Sequence, residues 1–186
     1  MDRRVLKTKK AIRSAYLELL RSGKEYTDIT VKELVDLADI NRSTFYLHYY
    51  TVDEVFEDLI DGMLSDISKE IPSGSLKVDE IEQIIGRMTT AIQSDRDYST
   101  IAAKAGEYPY FSEALLNMMK DKVSAESISA PDLNTGDKEF LMLMLSQITY
   151  SVTNYLIKHY PAEQIPERFG VIKKYIFEPA IREMMH

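Results

Sequence analysis

The side chains with the most suggestive chemistry lie in one short segment with the sequence RSTFYLHY. Phe45 and Tyr49 are four positions apart, so on a helix they share one face and are expected to pack inward. Arg42, Ser43, Thr44, Tyr46 and Leu47 then face outward. Arg42 can donate two parallel hydrogen bonds to a guanine, Leu47 can meet a thymine methyl, and Ser43 can contact a base or a phosphate. This segment is therefore a candidate for reading bases in the DNA major groove.

Two short helices are expected to position that segment. Thr30-Val31-Lys32-Glu33 is a capping box, in which the Thr30 hydroxyl and the Glu33 carboxylate satisfy backbone N–H groups at the start of a second helix. Asn41 is a good N-cap for a third helix over residues 42–49. Two short helices joined by a tight turn are typical of a helix-turn-helix motif.

The rest of the chain also repeats with helical period, and no stretch alternates long enough to predict a strand. The first helix is predicted over residues 5–22, and Gly23 can adopt the left-handed conformation that ends it. A second capping box at Thr51 opens a fourth helix that ends at Pro72. Further helices are predicted over 77–94, 96–106, 110–128, 137–159 and 167–185, the last kinked at Pro179.

Charge is distributed unevenly. The net charge of −7 by itself disfavours nucleic acid as a partner. Residues 1–50, however, carry 10 Lys and Arg against 7 Asp and Glu, whereas residues 51–186 carry 13 against 23. Lys7, Lys9 and Lys10 lie in a basic N-terminal segment that also contains Arg13. They are candidates for phosphate contact. The alternative, a merely solvated helix start, does not explain cations that oppose the helix dipole.

Several classes of function are disfavoured. The absence of cysteine excludes disulfides and Cys-ligated zinc, and the three histidines lack metal-ligand spacing. Common catalytic and nucleotide-binding motifs do not occur, so we expect neither an enzyme nor a cofactor. No apolar run is long enough to span a membrane, and no signal peptide is recognisable. A cytoplasmic location is expected.

The segment from Ile29 to Val55 resembles the DNA-binding domain of the TetR family of bacterial regulators, over about the first third of the chain. The matching residues are Thr30, Ala38, Ile40, Ser43, Thr44, Phe45, Tyr46, His48 and Tyr49. The resemblance implies phosphate contacts from four of them, Thr30, Thr44, Tyr46 and His48. One position departs from the pattern, because Val52 stands where the family usually has a phosphate-binding lysine.

The aromatic residues of this segment have alternative roles. Core packing is the preferred role for Tyr49, whereas Tyr46 beside Thr44 favours phosphate contact. For His48, a half-buried imidazole and a phosphate contact both stay open.

The resemblance also implies a homodimer whose last two helices pair, with DNA half-sites about 34–36 Å apart or a multiple of that. The alternative is that segment 137–159 is a fully buried central helix of one subunit. The expected interface residues are Phe140, Met144, Ile148, Tyr155, Ile172 and Ile176.

Methionine, aliphatic and aromatic side chains in the middle helices could line a cavity for a small apolar or aromatic effector. The alternative is that they only pack in the core. These residues are Met88, Ile92, Tyr98, Tyr108, Phe111, Leu115 and Met118.

These observations predict an all-α chain, with a three-helix helix-turn-helix DNA-binding domain at residues 1–50. Residues 51–186 are predicted to form a larger helical domain for dimerisation and ligand binding. The expected function is a sequence-specific transcriptional regulator, a dimeric repressor that an effector releases from a near-palindromic operator. The alternative is a TetR-like helical interaction protein that has lost operator binding.

Overall fold

The computed structural model describes residues 3–69, 87–88, 90–106, 108–122, 133–160, 164–172 and 174–175. These residues form helices and short turns without a strand, which confirms the all-α prediction. The helices are α1 Arg3–Arg21, α2 Val31–Leu37, α3 Arg42–Tyr46, α4 Asp53–Lys69, α5 Arg96–Ala105, α6 Pro109–Lys122, α7 Thr135–His159 and α8 Ile165–Ile172. Residues 87–88 and 90–94 are helical as well, and Tyr26–Asp28 forms a 3-10 turn.

The first three helices form as their local signals predict. Five apolar residues of α1 are buried, namely Ile12, Ala15, Tyr16, Leu17 and Leu20, and Gly23 ends the helix with a φ of 91°. Its N–H donates to the Leu20 carbonyl at 3.0 Å. Both arms of the Thr30–Glu33 capping box are present at the start of α2. These terminal contacts fix the directions of α1 and α2, and α2 in turn packs on α3.

Helix α4 joins the N-terminal helices to the remainder of the chain. Seven apolar residues of α4 are buried: Val55, Phe56, Leu59, Ile60, Met63, Leu64 and Ile67. It packs against α1 as well as against α5 and α6. Phe56 of α4 stacks on Tyr16 at 5.5 Å between ring centres, and Tyr108 lies 5.3 Å from Phe56 and 5.4 Å from Tyr26. One apolar core therefore runs from α1 through α4 into the later helices.

Of the later helices, α5 and α6 pack on α4. α6 contacts α4 and α7, and α7 also contacts α5 and α8. Asp95 and Asn134 cap α5 and α7 with side-chain oxygens that accept backbone N–H groups. None of the helices in the described part of the chain has the length and apolar character needed to span a bilayer.

Some predicted features differ or lie elsewhere. α3 ends at Tyr46 rather than Tyr49, because residues 47 and 48 form a tighter turn. The Pro72 helix end and the Pro179 kink both lie outside the described residues.

Candidate nucleic-acid interface

Two buried aromatic side chains orient α3. Phe45 is 0% and Tyr49 2% exposed, with their ring centres 5.9 Å apart, which confirms that both pack inward. On the other side, Leu47 is 80% exposed and Arg42 is also exposed. The side of α3 that carries Arg42 and Leu47 therefore faces solvent within this chain.

The start of α3 is fixed by Asn41. Its Oδ1 atom accepts hydrogen bonds from the Thr44 N–H at 2.8 Å, the Thr44 hydroxyl at 2.8 Å and the Ser43 hydroxyl at 2.7 Å. Both hydroxyl protons are therefore used inside the turn, although the oxygens can still accept. Ser43 and Thr44 must rotate before they can donate to a phosphate.

Arg42 and Tyr46 form a pair on the outward face of α3. The Arg42 Nη2 atom donates to the Tyr46 hydroxyl at 3.2 Å, and the guanidinium carbon lies 5.7 Å from the centre of the Tyr46 ring. Tyr46 is 41% exposed, so its hydroxyl is reachable from solvent. These two side chains, which the sequence assigns separately to base and phosphate contact, are brought together by the structure.

At the start of α2, Glu33 holds Thr30. The Glu33 carboxylate accepts from the Thr30 N–H at 3.0 Å and from the Thr30 hydroxyl at 2.7 Å, and it also pairs with Lys24. The hydrogen bond from Lys24, followed by those from Thr30, lowers the pKa of Glu33 from 4.5 to about 2. The Thr30 N–H and hydroxyl therefore already donate to a carboxylate. The negative charge of that carboxylate would repel a phosphate.

The basic residues of α1 divide into two groups. Lys9 lies 3.7 Å from an Asp58 oxygen and 4.7 Å from the centre of the Tyr49 ring, and Arg13 lies 3.8 Å from the same oxygen. The Tyr49 hydroxyl donates to that carboxylate as well, and burial, then this bond, raises the pKa of Tyr49. Lys7 and Lys10 are exposed and have no carboxylate within 4.0 Å among the described residues.

The turn into α4 lacks a cation. Val52 is half-buried and packs against the core, and His48 is half-buried too. Tyr50 is 82% exposed, and its N–H donates to the Glu54 carboxylate at 2.7 Å. The turn therefore presents the exposed phenol of Tyr50, whereas position 52 carries a half-buried valine in place of a lysine.

The middle helices enclose a small cavity of about 30 Å³. Four of the seven residues predicted for an effector site line it, namely Met88, Ile92, Phe111 and Leu115. Tyr98, Tyr108 and Met118 do not line it. The hydroxyls of Tyr98 and Tyr108 instead donate to Asp66 at 2.6 Å and Glu57 at 2.9 Å on α4.

The sequence did not single out the other lining residues, which come mainly from α4 and α7. They are Met63, Leu64, Ile67, Ala102, Tyr150 and Asn154. Tyr150 also donates a hydrogen bond to the Gly106 carbonyl at the end of α5.

The predicted dimer residues lie partly on the surface of α7. Phe140 is 60%, Met144 41% and Tyr155 57% exposed, and Ile148 and Ile172 are half-buried. Ile176 lies outside the described residues. Helix α7 is therefore not a fully buried central helix within one chain.

Comparison with known proteins supports the class of fold. No family model matches the chain. A TetR transcriptional regulator from Streptococcus agalactiae 2603V superposes with a TM-score of 0.65 at 20% identity, over 92% of this chain and 96% of that one. The protein Lin0861 from Listeria innocua gives 0.67 at 17% identity, over 95% and 94%.

A curated relative adds sequence similarity. An uncharacterised HTH-type transcriptional regulator of Bacillus subtilis (strain 168), YxbF, is 26% identical over 98 residues. That match spans 50% of this chain but only 26% of the relative's length. The chain has the fold of TetR transcriptional regulators, with the helix-turn-helix that its sequence predicts.

Proposed function

We propose that this chain is a sequence-specific DNA-binding transcriptional regulator that acts as a dimeric repressor in the cytoplasm. The observation that carries the proposal is the orientation of α3. Its two aromatic anchors are buried while Arg42 and Leu47 face solvent. A helix presented in this way fits the major groove, where base edges carry distinguishable patterns of donors, acceptors and methyl groups.

Different residues have different roles in this proposal. Arg42, Ser43 and Leu47 read bases, with Arg42 as the donor to a guanine. Phosphate contacts come from exposed groups around them, which fix the register without reading sequence. Tyr46, Lys7 and Lys10 are the best placed of these groups because they are exposed. Thr30 and Thr44 can contact a phosphate only after their side chains rearrange. His48 and Lys9 would make such a contact from half-buried positions.

Selection of bound sequences from a random duplex library, using the full chain, tests the proposal. We expect a near-palindromic site, with affinity that falls steeply as salt rises. Arg42→Ala should relax base preference at one position per half-site by about 1–3 kcal/mol. Lys10→Ala is the matched control, which should weaken all sequences alike and reduce the salt slope. Equal losses on selected and random DNA for Arg42→Ala would contradict the base-reading role.

Dimerisation is proposed through the exposed apolar face of α7 together with α8. Phe140, Met144 and Tyr155 leave apolar surface in water that a second copy can cover. Met144→Asp should shift the sedimentation equilibrium towards monomer and weaken operator binding. Asn117→Asp, which adds the same single negative charge at an exposed position of α6, is the control for added charge. A monomeric parent chain at micromolar concentration refutes this part.

The effector is proposed to be a small apolar or aromatic molecule that enters the cavity under α4. As far as the described residues go, the lining is apolar apart from Tyr150 and Asn154 and contains no charged side chain. Ligand pockets usually occupy about 300–1,000 Å³, so an effector must widen the present cavity. Phe111→Ala should enlarge it and change effector-dependent release, which an operator-binding titration measures.

A second candidate function follows from the turn into α4. Val52 is half-buried against the core, Thr30 is bonded to Glu33, and Lys9 is paired with Asp58. These features reduce the phosphate-binding capacity and favour a helical interaction protein without operator binding. Failure of the library selection, with a folded and dimeric chain, is the outcome that supports this candidate.

A further inference from the structure

One side-chain pair on α3 has geometry that goes beyond separate base and phosphate contacts. Arg42 and Tyr46 are four residues apart, which places them on the same face of a helix. The guanidinium donates to the Tyr46 hydroxyl at 3.2 Å and lies over its ring at 5.7 Å. The long side chain of Arg42 therefore has a defined direction before any partner binds.

Tyr46 is itself held by the core. Its ring meets the Phe45 ring edge-on, with centres 5.4 Å apart and an angle of 86° between the ring planes. Phe45 has no exposed surface and also contacts the buried Tyr49. The position of the Arg42 tip is thus linked through Tyr46 to the two side chains that anchor α3.

The electrostatic setting of Arg42 also differs from that of neighbouring cations. Lys9 and Lys24 each pair with a carboxylate, Asp58 and Glu33 respectively. Among the described residues, Arg42 has no carboxylate oxygen within 4.0 Å. Its observed partner is a neutral phenol, so its full positive charge is available to DNA.

We propose that Tyr46 is a positioning and specificity-determining residue, which holds Arg42 for guanine recognition and joins that recognition to a phosphate contact. This inference rests on the proposed function. The Tyr46 hydroxyl accepts from Arg42 and keeps its own proton, which it can donate to a phosphate oxygen. A guanidinium has five N–H donors, so one bond to Tyr46 leaves a parallel pair for guanine O6 and N7.

Tyr46→Phe tests the inference because it removes only the hydroxyl. The assay is competition binding of the full chain to its selected operator and to operators changed at the base pair that Arg42→Ala identifies. Because the ring is kept, the loss of the one hydrogen bond from Arg42 predicts about a 2- to 10-fold loss of discrimination at that base pair. Affinity for all sequences should also fall through the lost phosphate contact. Arg42→Lys, which keeps the charge but lacks the planar fork, should lose discrimination with an unchanged salt slope.

Two comparisons separate positioning from a merely structural role. In an Arg42→Ala background, Tyr46→Phe should lower affinity for all sequences equally and leave discrimination unchanged. Tyr50→Phe removes an exposed phenol hydroxyl that does not contact Arg42 and should preserve discrimination in the parent chain. Thermal melting of each variant confirms that the fold is retained.

Each outcome bears on the proposal. If Tyr46→Phe discriminates between the operators as well as the parent chain does, the positioning role is overturned. An equal loss of affinity for every sequence overturns it as well. If the parent selects a site and Arg42→Ala relaxes it, such a result refutes positioning alone and leaves the proposed function standing. If the parent selects no sequence, the proposed function and this inference fall together.

Discussion

In the proposed function, the half-buried carboxylate of Asp58 competes with DNA for the cations of α1. It lies 3.7 Å from Lys9 and 3.8 Å from Arg13, and it accepts a hydrogen bond from the Tyr49 hydroxyl. Asp58→Asn removes the negative charge but keeps an oxygen that can accept from Tyr49. We therefore expect Asp58→Asn to lower the free energy of unfolding and to tighten DNA binding.

The magnitudes follow from the contacts. A hydrogen bond to a charged group contributes about 1.5–3 kcal/mol and a neutral one about 0.5–1.5, so Asp58→Asn should lower the free energy of unfolding by about 1 kcal/mol. For a chain of this length that is a fall in Tm of about 2–4 °C. If the released Lys9 binds one more phosphate per subunit, the slope of log K against log salt steepens by about 0.9. The affinity gain should then grow about 3-fold per subunit between 200 and 50 mM salt.

Asp61→Asn is the matched control for this experiment. Asp61 also lies on α4 and accepts a phenol hydroxyl, that of Tyr110 at 2.9 Å. Among the described residues it has no cation within 4.0 Å. Both variants change the net charge equally, but only Asp58→Asn should steepen the salt dependence measured by fluorescence anisotropy. Equal gains from both variants, or weaker binding by Asp58→Asn, would refute the reasoning.

Two further predictions concern the supports of the interface. Gly23→Ala should destabilise the chain by about 1–2 kcal/mol because Gly23 has a φ of 91°, whereas Gly62→Ala inside α4, where an added Cβ meets no atom within 4 Å, should stabilise it by about 0.5–1 kcal/mol. Equal urea midpoints of unfolding for the two variants would contradict the explanation that backbone conformation sets their stabilities. The pKa of Glu33 is lowered from 4.5 to about 2 by Lys24 and Thr30, so its contribution to stability is present above pH 4.5 and lost as pH falls towards 2. Glu33→Gln should flatten the decline of urea midpoints over that range, and an unchanged decline would refute it.

The local features of the interface were predictable because they depend on neighbours in the sequence. The Thr30 capping box, the Asn41 cap and the inward pair Phe45 and Tyr49 all arise within four residues, where helical geometry fixes the spacing. The Arg42–Tyr46 pair obeys the same spacing but was assigned to two separate roles. Sequence reasoning could have found it by testing outward side chains for contacts with each other.

The end of α3 was less predictable. Its apolar spacing extends to Tyr49, but the Leu47 N–H lies between the carbonyls of Ser43 at 3.2 Å and Thr44 at 3.3 Å, and the His48 N–H donates to Phe45 at 2.9 Å. Such bonds three residues back tighten the last turn into 3-10 geometry. The tighter turn still buries Tyr49, so an apolar pattern alone does not reveal where the α-helix stops.

Contacts between distant segments could not be predicted from spacing. Tyr108 was expected to line the cavity, yet its hydroxyl reaches Glu57, 51 positions earlier, at 2.9 Å. Tyr98 in the same way bonds Asp66. A phenol is stable either in an apolar lining or against a carboxylate, and the packing of α4 on α5 and α6 decides between the two.

The same distinction governs the electrostatics of the proposed DNA-binding domain. Residues 1–50 have more basic than acidic residues, which suggests a broad positive surface. Four of those cations are nevertheless paired with carboxylates of this chain: Lys9, Arg13, Arg21 and Lys24. Sequence charge therefore overstates the number of cations ready to displace counterions from DNA. In the proposed function, DNA affinity therefore depends more on exposed Lys7 and Lys10 and on the oriented Arg42, so single substitutions there should have larger effects than the charge count suggests.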